Sequence, residues 1–384
     1  GLIQRYGAEQ LTACFADLIR ECELAFQREL LPRLPEGRWE VEASVDSDGF
    51  SGPHLLRLAL SRSGDRLLVD LDGTGPQARG AINCPLEGEG RAFLARLLSP
   101  LLLHLAEDPA RLAGTALNDG ACRVFDIRLP GPGTLVTPRF PAPAGLRALT
   151  LSRLLAAFGE ALFQASGSQT PAGLDNLRVW SLGGRETDGT YHLFREVLGA
   201  GTGASARGDG GSAVPPINGG GGLPVELIEA RYPLRVESAG LVRDSGGAGA
   251  HRGGLGVYRD YRLLLGGDLS SGVSCTRQGP AGGFGGHPGG LCRMVLTEGK
   301  KAHLLPPVTS ARPFAPGSLL RVGTPGGGGW GSPKERDPEA VRLDVLRGYV
   351  SPEAARALYG VALGGGPGFA ADPAQTQKLR SSQR

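Results

Sequence analysis

The chain has 384 residues, of which 40% are hydrophobic and 21% charged; 41 basic residues against 38 acidic ones leave a net charge of +3. That is enough apolar material for a sizeable core, and it excludes a globally disordered chain. Charge this balanced and intermingled argues against a nucleic-acid binder, which carries a concentrated basic face. The longest apolar run, residues 97–105, is broken by Pro100 and His104 and is too short to span a bilayer, so no membrane partner is expected. The N-terminus has no basic stretch followed by an apolar one, so it is not a signal peptide. Six cysteines are scattered without a CxxC pair, the pattern of reduced thiols in a cytoplasmic protein rather than of a disulfide scaffold or a zinc ribbon. The single methionine is Met294, so the start at Gly1 reads as a break in a longer chain.

Residues 8–33 predict an amphipathic helix, with Leu11, Phe15, Leu18, Ile19, Cys22 and Phe26 at three- and four-residue spacings and Pro32 at its end. Alternating apolar positions over 39–45, 55–60 and 66–71, punctuated by an acidic turn at Asp46-Ser-Asp48-Gly49, predict strands joined as hairpins. Helices are predicted over 87–105 and 145–165. From about residue 175 the texture changes to short apolar strands separated by glycine clusters, which predicts a mainly β part. A helical pattern returns after Asp337, with Ser351 placed as an N-cap. The expected class is α+β: a helix-plus-sheet part over 1–170, a glycine-rich β part over 171–335, and a helical tail over 336–384.

Generic catalytic signatures are missing. There is no GxxxxGK[ST] phosphate loop, no GxGxxG, no GxSxG elbow, and no HxH, HxxD or HExxH spacing among the six histidines. Glycine is the outlier at 63 residues, about twice the usual share. It is expected to serve turns that need positive φ and close backbone approaches. Three constellations stand out. Arg207-Gly208-Asp209-Gly210-Gly211 is followed by Asn218, Glu226 and Glu229. Asp244-Ser-Gly-Gly-Ala-Gly-Ala-His-Arg252-Gly-Gly-Leu-Gly256 precedes a strand. Thr324-Pro-Gly-Gly-Gly-Gly-Trp-Gly331 contains four consecutive glycines, which cost conformational entropy to order and are read as a partner surface or a moving loop rather than core.

These segments, in this order, resemble the hydantoinase B/5-oxoprolinase family. So do Arg5-Tyr6-Gly7, Asp72-Gly-Thr-Gly-Pro76 with Asn83-x-Pro85, Leu117-Asn118-x-Gly120, Pro224-Val-Glu226-x-x-Glu229-x-x-Tyr232-Pro233 and Arg336-Asp-Pro-Glu-Ala-Val341. The resemblance covers about residues 5–360. It implies a two-part enzyme in which a hydantoinase A-like ATPase, carrying ATP and Mg, phosphorylates a carbonyl. The present type of subunit then completes the chemistry on the activated small molecule, so a hetero-oligomer is expected. Family activities include hydrolysis of cyclic amides or imides and carboxylation of ketones. A metal-bound water of lowered pKa would suit the hydrolytic step. The family's His- and Asp-rich metal segment lies upstream of the Arg-Tyr-Gly helix, so no metal ligand and no cofactor carries over to this chain.

The first reading is therefore a subunit or fragment of an ATP-dependent cyclic amide hydrolase of 5-oxoprolinase or N-methylhydantoinase type. The alternatives are a carboxylase subunit of acetone or acetophenone type, and a non-catalytic scaffold. Asp209 and Asn218 are the site-facing candidates. Gly208, Gly210, Glu226, Glu229, Asp244 and Arg252 are expected to support loops, the charged ones through ion pairs or hydrogen bonds.

Overall fold

The computed structural model describes residues 1–108, 112, 117–173, 179–215, 222–366 and 368–381. The fold is mixed α and β, and it resolves into two units. The first comprises Gly1–Ser44, Leu55–Gly145 and Ala157–Thr170; the second comprises Val45–His54, Leu146–Ala156 and Pro171–Arg384.

In the first unit, helix α1 (Leu2–Tyr6) leads through Gly7 into α2 (Ala8–Ala25), which runs on as a π turn and a 3-10 turn to Arg33. Pro32 stops it, because a proline has no N–H to continue the ladder. Of the predicted stripe, Cys22 and Phe26 are buried while Phe15 and Leu18 stay exposed. Strands β1 (Gly37–Val45), β2 (His54–Ser63), β3 (Arg66–Asp70) and β4 (Phe125–Arg128) form one sheet in that order, β2 antiparallel to β3 and β3 parallel to β4. The predicted second helix is α3 (Gly90–Leu98) only. From Ser99 to Leu105 it tightens into a 3-10 form, where Pro100 interrupts the α ladder. The predicted third helix is α4 (Arg147–Ala165), of which the part from Ala157 onward belongs to this unit and the part before it to the second.

The second unit holds two sheets. One has the order β11-β10-β13-β8-β7 and the other β12-β9-β5-β6, with every pairing antiparallel. Their strands are β5 (Val179–Arg185), β6 (Tyr191–Arg195), β7 (Leu234–Leu241), β8 (Val257–Leu263), β9 (Gly267–Gly272), β10 (Arg293–Glu298), β11 (Lys301–Leu304), β12 (Val308–Phe314) and β13 (Leu319–Gly323). A single apolar cluster draws Trp180, Leu182 and Phe194 from one sheet and Tyr261, Leu263, Met294 and Leu320 from the other, so the sheets pack face to face as a sandwich. Trp180 is the hub of that cluster, 5.5 Å from the Phe194 ring and 5.1 Å from the Tyr261 ring. Helix α5 (Val225–Arg231) packs on β7. The tail forms α6 (Pro338–Leu346), α7 (Pro352–Ala357) and α8 (Pro373–Ser381), with Asp337 and Ser351 as N-caps. Tail residues Val341, Val345, Val350 and Tyr359 share a small core with Ala248 of the second glycine segment. Among the described residues no helix is long and apolar enough to cross a membrane. The six cysteines are free thiols, four of them buried.

Candidate functional site

The glycine runs form a second, different core in the second unit. Five extended segments, residues 199–204, 208–214, 244–256, 279–290 and 324–331, lie side by side. They are joined by backbone hydrogen bonds that belong to no sheet. The segment Gly326-Gly-Gly-Gly329 is its centre. Gly327, Gly328 and Gly329 donate to three different neighbours, the carbonyls of Gly254 (3.0 Å), Gly173 (3.3 Å) and His287 (2.9 Å).

A Cβ at Gly326 would lie 1.8 Å from the Ser245 carbonyl oxygen, at Gly327 2.0 Å from that of Thr202, at Gly328 1.9 Å from that of Ala281, and at Gly329 2.4 Å from that of Ala248. Positions three apart thus face the same neighbour, which is the period of a polyproline II helix. Where such a helix is surrounded on one side only, every third residue must be glycine. Here all three faces are enclosed, and four consecutive glycines are required. The expectation of a moving loop or partner surface at Gly326–Gly329 is therefore overturned: these residues are buried. Their glycines are also needed for close approach rather than for positive φ, since none of the four adopts it.

The central glycine run itself carries no side chains, and a group of aromatic and ionisable side chains gathers where the segments turn. Four of them turn or end together. Ser205 and Gly208 bond each other's backbone. His251 and Trp330 exchange N–H···O bonds of 3.0 and 2.9 Å, and Gly331 donates to Gly283 at 3.0 Å. The side chains carried there are Asp209, His251, Phe284 and Trp330. The imidazole of His251 stacks on the Trp330 indole, with centroids 5.4 Å apart and planes 28° apart, and its Nδ1 is 3.9 Å from Asp209 Oδ1. Phe284 projects with 63% of its surface exposed from a backbone at φ 51°, a conformation that costs a non-glycine residue about 1–3 kcal/mol. This end therefore displays an exposed aromatic, Phe284, and the His251 imidazole, both against the Trp330 indole.

Asp209 is fixed here by charge. Its Oδ1 accepts from the Arg252 backbone N–H (2.8 Å) and from Arg336 Nη1 (2.7 Å), and its Oδ2 accepts from Arg336 Nη2 (2.7 Å). Arg336 also donates to Asp344 of α6 at 2.8 Å, and Arg252 Nε meets the same Asp344 oxygen at 3.3 Å. Arg252, Arg336 and Asp344 are each about 95% buried. Burial raises the Asp209 carboxyl, but the Arg336 hydrogen bonds and charge outweigh it and hold the group below the usual carboxylate range. The network clamps the tail to the end of the bundle, and Asp209 is an anchor in it with Arg336 across both oxygens.

The other candidates are dispersed. Gly208, at φ 154°, makes the turn before Asp209. A Cβ at Gly210 would meet the Thr202 carbonyl oxygen at 2.1 Å. Arg252 and Asp244 act as braces: Asp244 accepts from the Ser351 N–H at 2.8 Å and so holds the start of α7. Glu229 accepts from the Val236 N–H at 2.9 Å and ties α5 to β7, while Glu226 is exposed in the first turn of α5. Asn218 lies outside the described residues.

Sequence reasoning passed over His251, Arg336 and Asp344, and also a buried triad in the sandwich. There the Glu196 carboxylate accepts from the Arg259 guanidinium, the Tyr261 hydroxyl and the Leu223 N–H. Burial pushes the Glu196 carboxyl up, against the Tyr261 and Arg259 contacts that lower it. Among the described residues no three His, Cys, Asp or Glu side chains group to hold a metal ion. These residues therefore do not fit the divalent metal implied by the resemblance.

Comparison with known proteins agrees with this architecture. The family model for hydantoinase B/oxoprolinase matches residues 1–333. The B-type component of a putative D-/L-hydantoinase from Pseudomonas sp. (strain NS671) is 30% identical over 371 residues, which cover 94% of this chain and 62% of that protein. The beta chain of the caprolactamase from Pseudomonas jessenii is 27% identical over 380 residues, covering 95% of this chain and 63% of its own length. This chain thus spans somewhat under two thirds of these relatives. The crystal structure of the ATP-dependent caprolactamase from Pseudomonas jessenii superposes with a TM-score of 0.83 at 25% identity, over 99% of this chain and 66% of that one. Nucleotide-free acetone carboxylase shares the fold, with a TM-score of 0.80 at 19% identity. The chain belongs to the hydantoinase B/oxoprolinase family.

Proposed function

We propose that the chain is a subunit, or part of one, in an ATP-dependent assembly that opens a cyclic amide or imide. The observation that carries this reading is the likeness to the ATP-dependent caprolactamase along 99% of the chain. An unstrained amide is a poor electrophile. A hydantoinase A-like ATPase partner would transfer the γ-phosphoryl group of ATP to the amide oxygen. A first water adds to the carbon and the ring C–N bond breaks as the nitrogen takes up a proton, leaving an amine and an acyl phosphate. A second water then hydrolyses the acyl phosphate to a carboxylate and inorganic phosphate. The contribution of this chain is a rigid frame, with the Asp209 clamp and the His251–Trp330–Phe284 end presented from it. The hetero-oligomer with an ATPase is part of the proposal, supported by relatives that are themselves named as subunits.

The test is co-purification with the ATPase partner, followed by phosphate release in the presence of 5-oxoproline, hydantoin or caprolactam, and separately of acetone or acetophenone with bicarbonate. Ring opening coupled to ATP hydrolysis, absent from either protein alone, is the expected result. Turnover of ketone plus bicarbonate would instead establish the carboxylase reading, toward which the 25% identity to the acetophenone carboxylase delta subunit of Aromatoleum aromaticum points. A stable complex with neither turnover would make the chain a scaffold.

A further inference from the structure

A pocket of about 390 Å³ opens in the second unit where the first two glycine segments meet β7 and β8. Its volume is at the small end of the range for ligand sites. Leu198, Leu241 and Val257 supply aliphatic wall, while Gly199, Gly222 and Gly240 leave stretches of wall without side chains. The Gly240 face is closed from one side by Tyr258, its cross-strand partner, whose ring lies 3.2 Å from where a Cβ would be.

Among the described residues, one cation faces this space. Arg259 sits on the inner face of β8, and its side chain is only 15% exposed. Its Nη1 is taken by Glu196 and by the Leu223 carbonyl (3.1 Å), which fixes the plane of the guanidinium. Nη2 and Nε make no hydrogen bond among the described residues. Nη2 lies beside pocket-lining Gly222, 3.5 Å from the position of its missing Cβ.

From this geometry we infer that the pocket binds a small carboxylate with a short aliphatic or ring body, gripped by the unused edge of the Arg259 fork. A planar guanidinium held by a buried acid on one edge presents parallel donors on the other, and a carboxylate matches them with two acceptors in one plane. A neutral lactam offers one carbonyl oxygen and fits half of the fork. Among the described residues the pocket offers one cation and no helix N-terminus, a poor match to a triphosphate. The site goes beyond the proposed reaction: it would take a carboxylate whether that molecule is a substrate, a product or a regulator.

Binding is read without turnover, so its outcome is separate from that of the proposed reaction. Ligand-detected NMR on the purified chain would compare 5-oxoproline and glutarate with caprolactam. Both carboxylates are expected to bind with Kd on the order of 1 mM, and caprolactam at least tenfold more weakly. Arg259→Lys keeps a charge beside Glu196 but loses the fork, and is expected to weaken the carboxylates about tenfold. Because that change touches a buried pair, two filling variants stand beside it. A Cβ in Gly222→Val meets only ordinary contacts, at 3.4 Å from Glu196 Oε1 and 3.5 Å from Arg259 Nη2, and Ala239→Phe fills the pocket from an exposed position. Both should weaken binding tenfold or more with the thermal unfolding midpoint unchanged. Equal affinity for caprolactam, or undiminished carboxylate binding by folded Gly222→Val and Ala239→Phe, would overturn the inference.

Discussion

The sandwich and the glycine bundle lie in the same unit and exclude water by opposite means. In the sandwich, Trp180, Phe194 and Tyr261 meet in one cluster and the backbone stays at sheet spacing, so stability comes from apolar area removed from water. In the bundle, carbonyl and amide groups pack against glycine Cα atoms, and stability comes from hydrogen bonds worth about 1 kcal/mol each and from close dispersion contact. The first design tolerates a changed side chain if volume is kept. The second tolerates none. It is therefore suited to holding a few terminal side chains in fixed places, and the turns at Asp209, His251, Phe284 and Trp330 are where it does so.

The largest effect that can break this contrast is a single methyl group. Gly328→Ala places a Cβ 1.9 Å from the Ala281 carbonyl oxygen and 2.5 Å from its carbon, both backbone atoms that cannot step aside. It should cost about 4 kcal/mol or more, or abolish soluble expression, as measured by denaturant unfolding. Trp180→Ala, which removes a whole aromatic from the sandwich, should cost about 3–5 kcal/mol, so one methyl in the bundle rivals a complete indole in the sandwich. If Gly328→Ala unfolds like the wild type, the bundle is not close-packed.

Charge sharpens the comparison further. Asp344→Asn withdraws the negative charge shared by Arg252 and Arg336 and should cost about 3 kcal/mol, with the tail becoming protease-sensitive before the sandwich does. Acid should act in the same order. The Asp209 carboxyl is held below its usual range, so its contribution is present above the ordinary carboxylate pKa and is lost as pH falls through the lowered value, below about pH 4. The Glu196 carboxyl is raised by burial, so its contribution has the opposite sign, complete in acid and lost as pH rises through the raised value. Acidification should thus release the tail while the sandwich persists, which proteolysis across a pH series can follow. Simultaneous release would contradict the separation. At the bottom of the scale, Gly365→Ala, with open space around its Cα, should change stability by less than about 0.5 kcal/mol.

The same contrast explains what could be read in the sequence. Helices α2 and α4 and strands β1, β2 and β3 announce themselves because hydropathy repeats at the period of the backbone. The bundle has a period as well, but glycine has no side chain to display it. A run such as Gly326–Gly329 looks alike as a flexible tether and as the most enclosed segment of the molecule. The Glu196 triad did leave a signal: Arg259 alternates in phase with buried Tyr261 and Leu263 along β8, and a charge on an apolar face asks for a buried partner. No local pattern could join Asp209 to Arg336, 127 positions away in the chain, or Arg252 to Asp344, 92 positions away. The motifs quoted for the resemblance include Asp209, Arg252 and Arg336 without saying that they meet, and Asp344 lies beyond the last of them.

The most direct test of the bundle is amide hydrogen exchange at Gly327, Gly328 and Gly329, resolved by NMR. Their N–H groups donate to Gly254, Gly173 and His287 inside a closed packing, so protection should match that of the sandwich strands β8 and β13. Exchange at the rate of an unstructured loop would contradict the account and return the four glycines to a mobile surface.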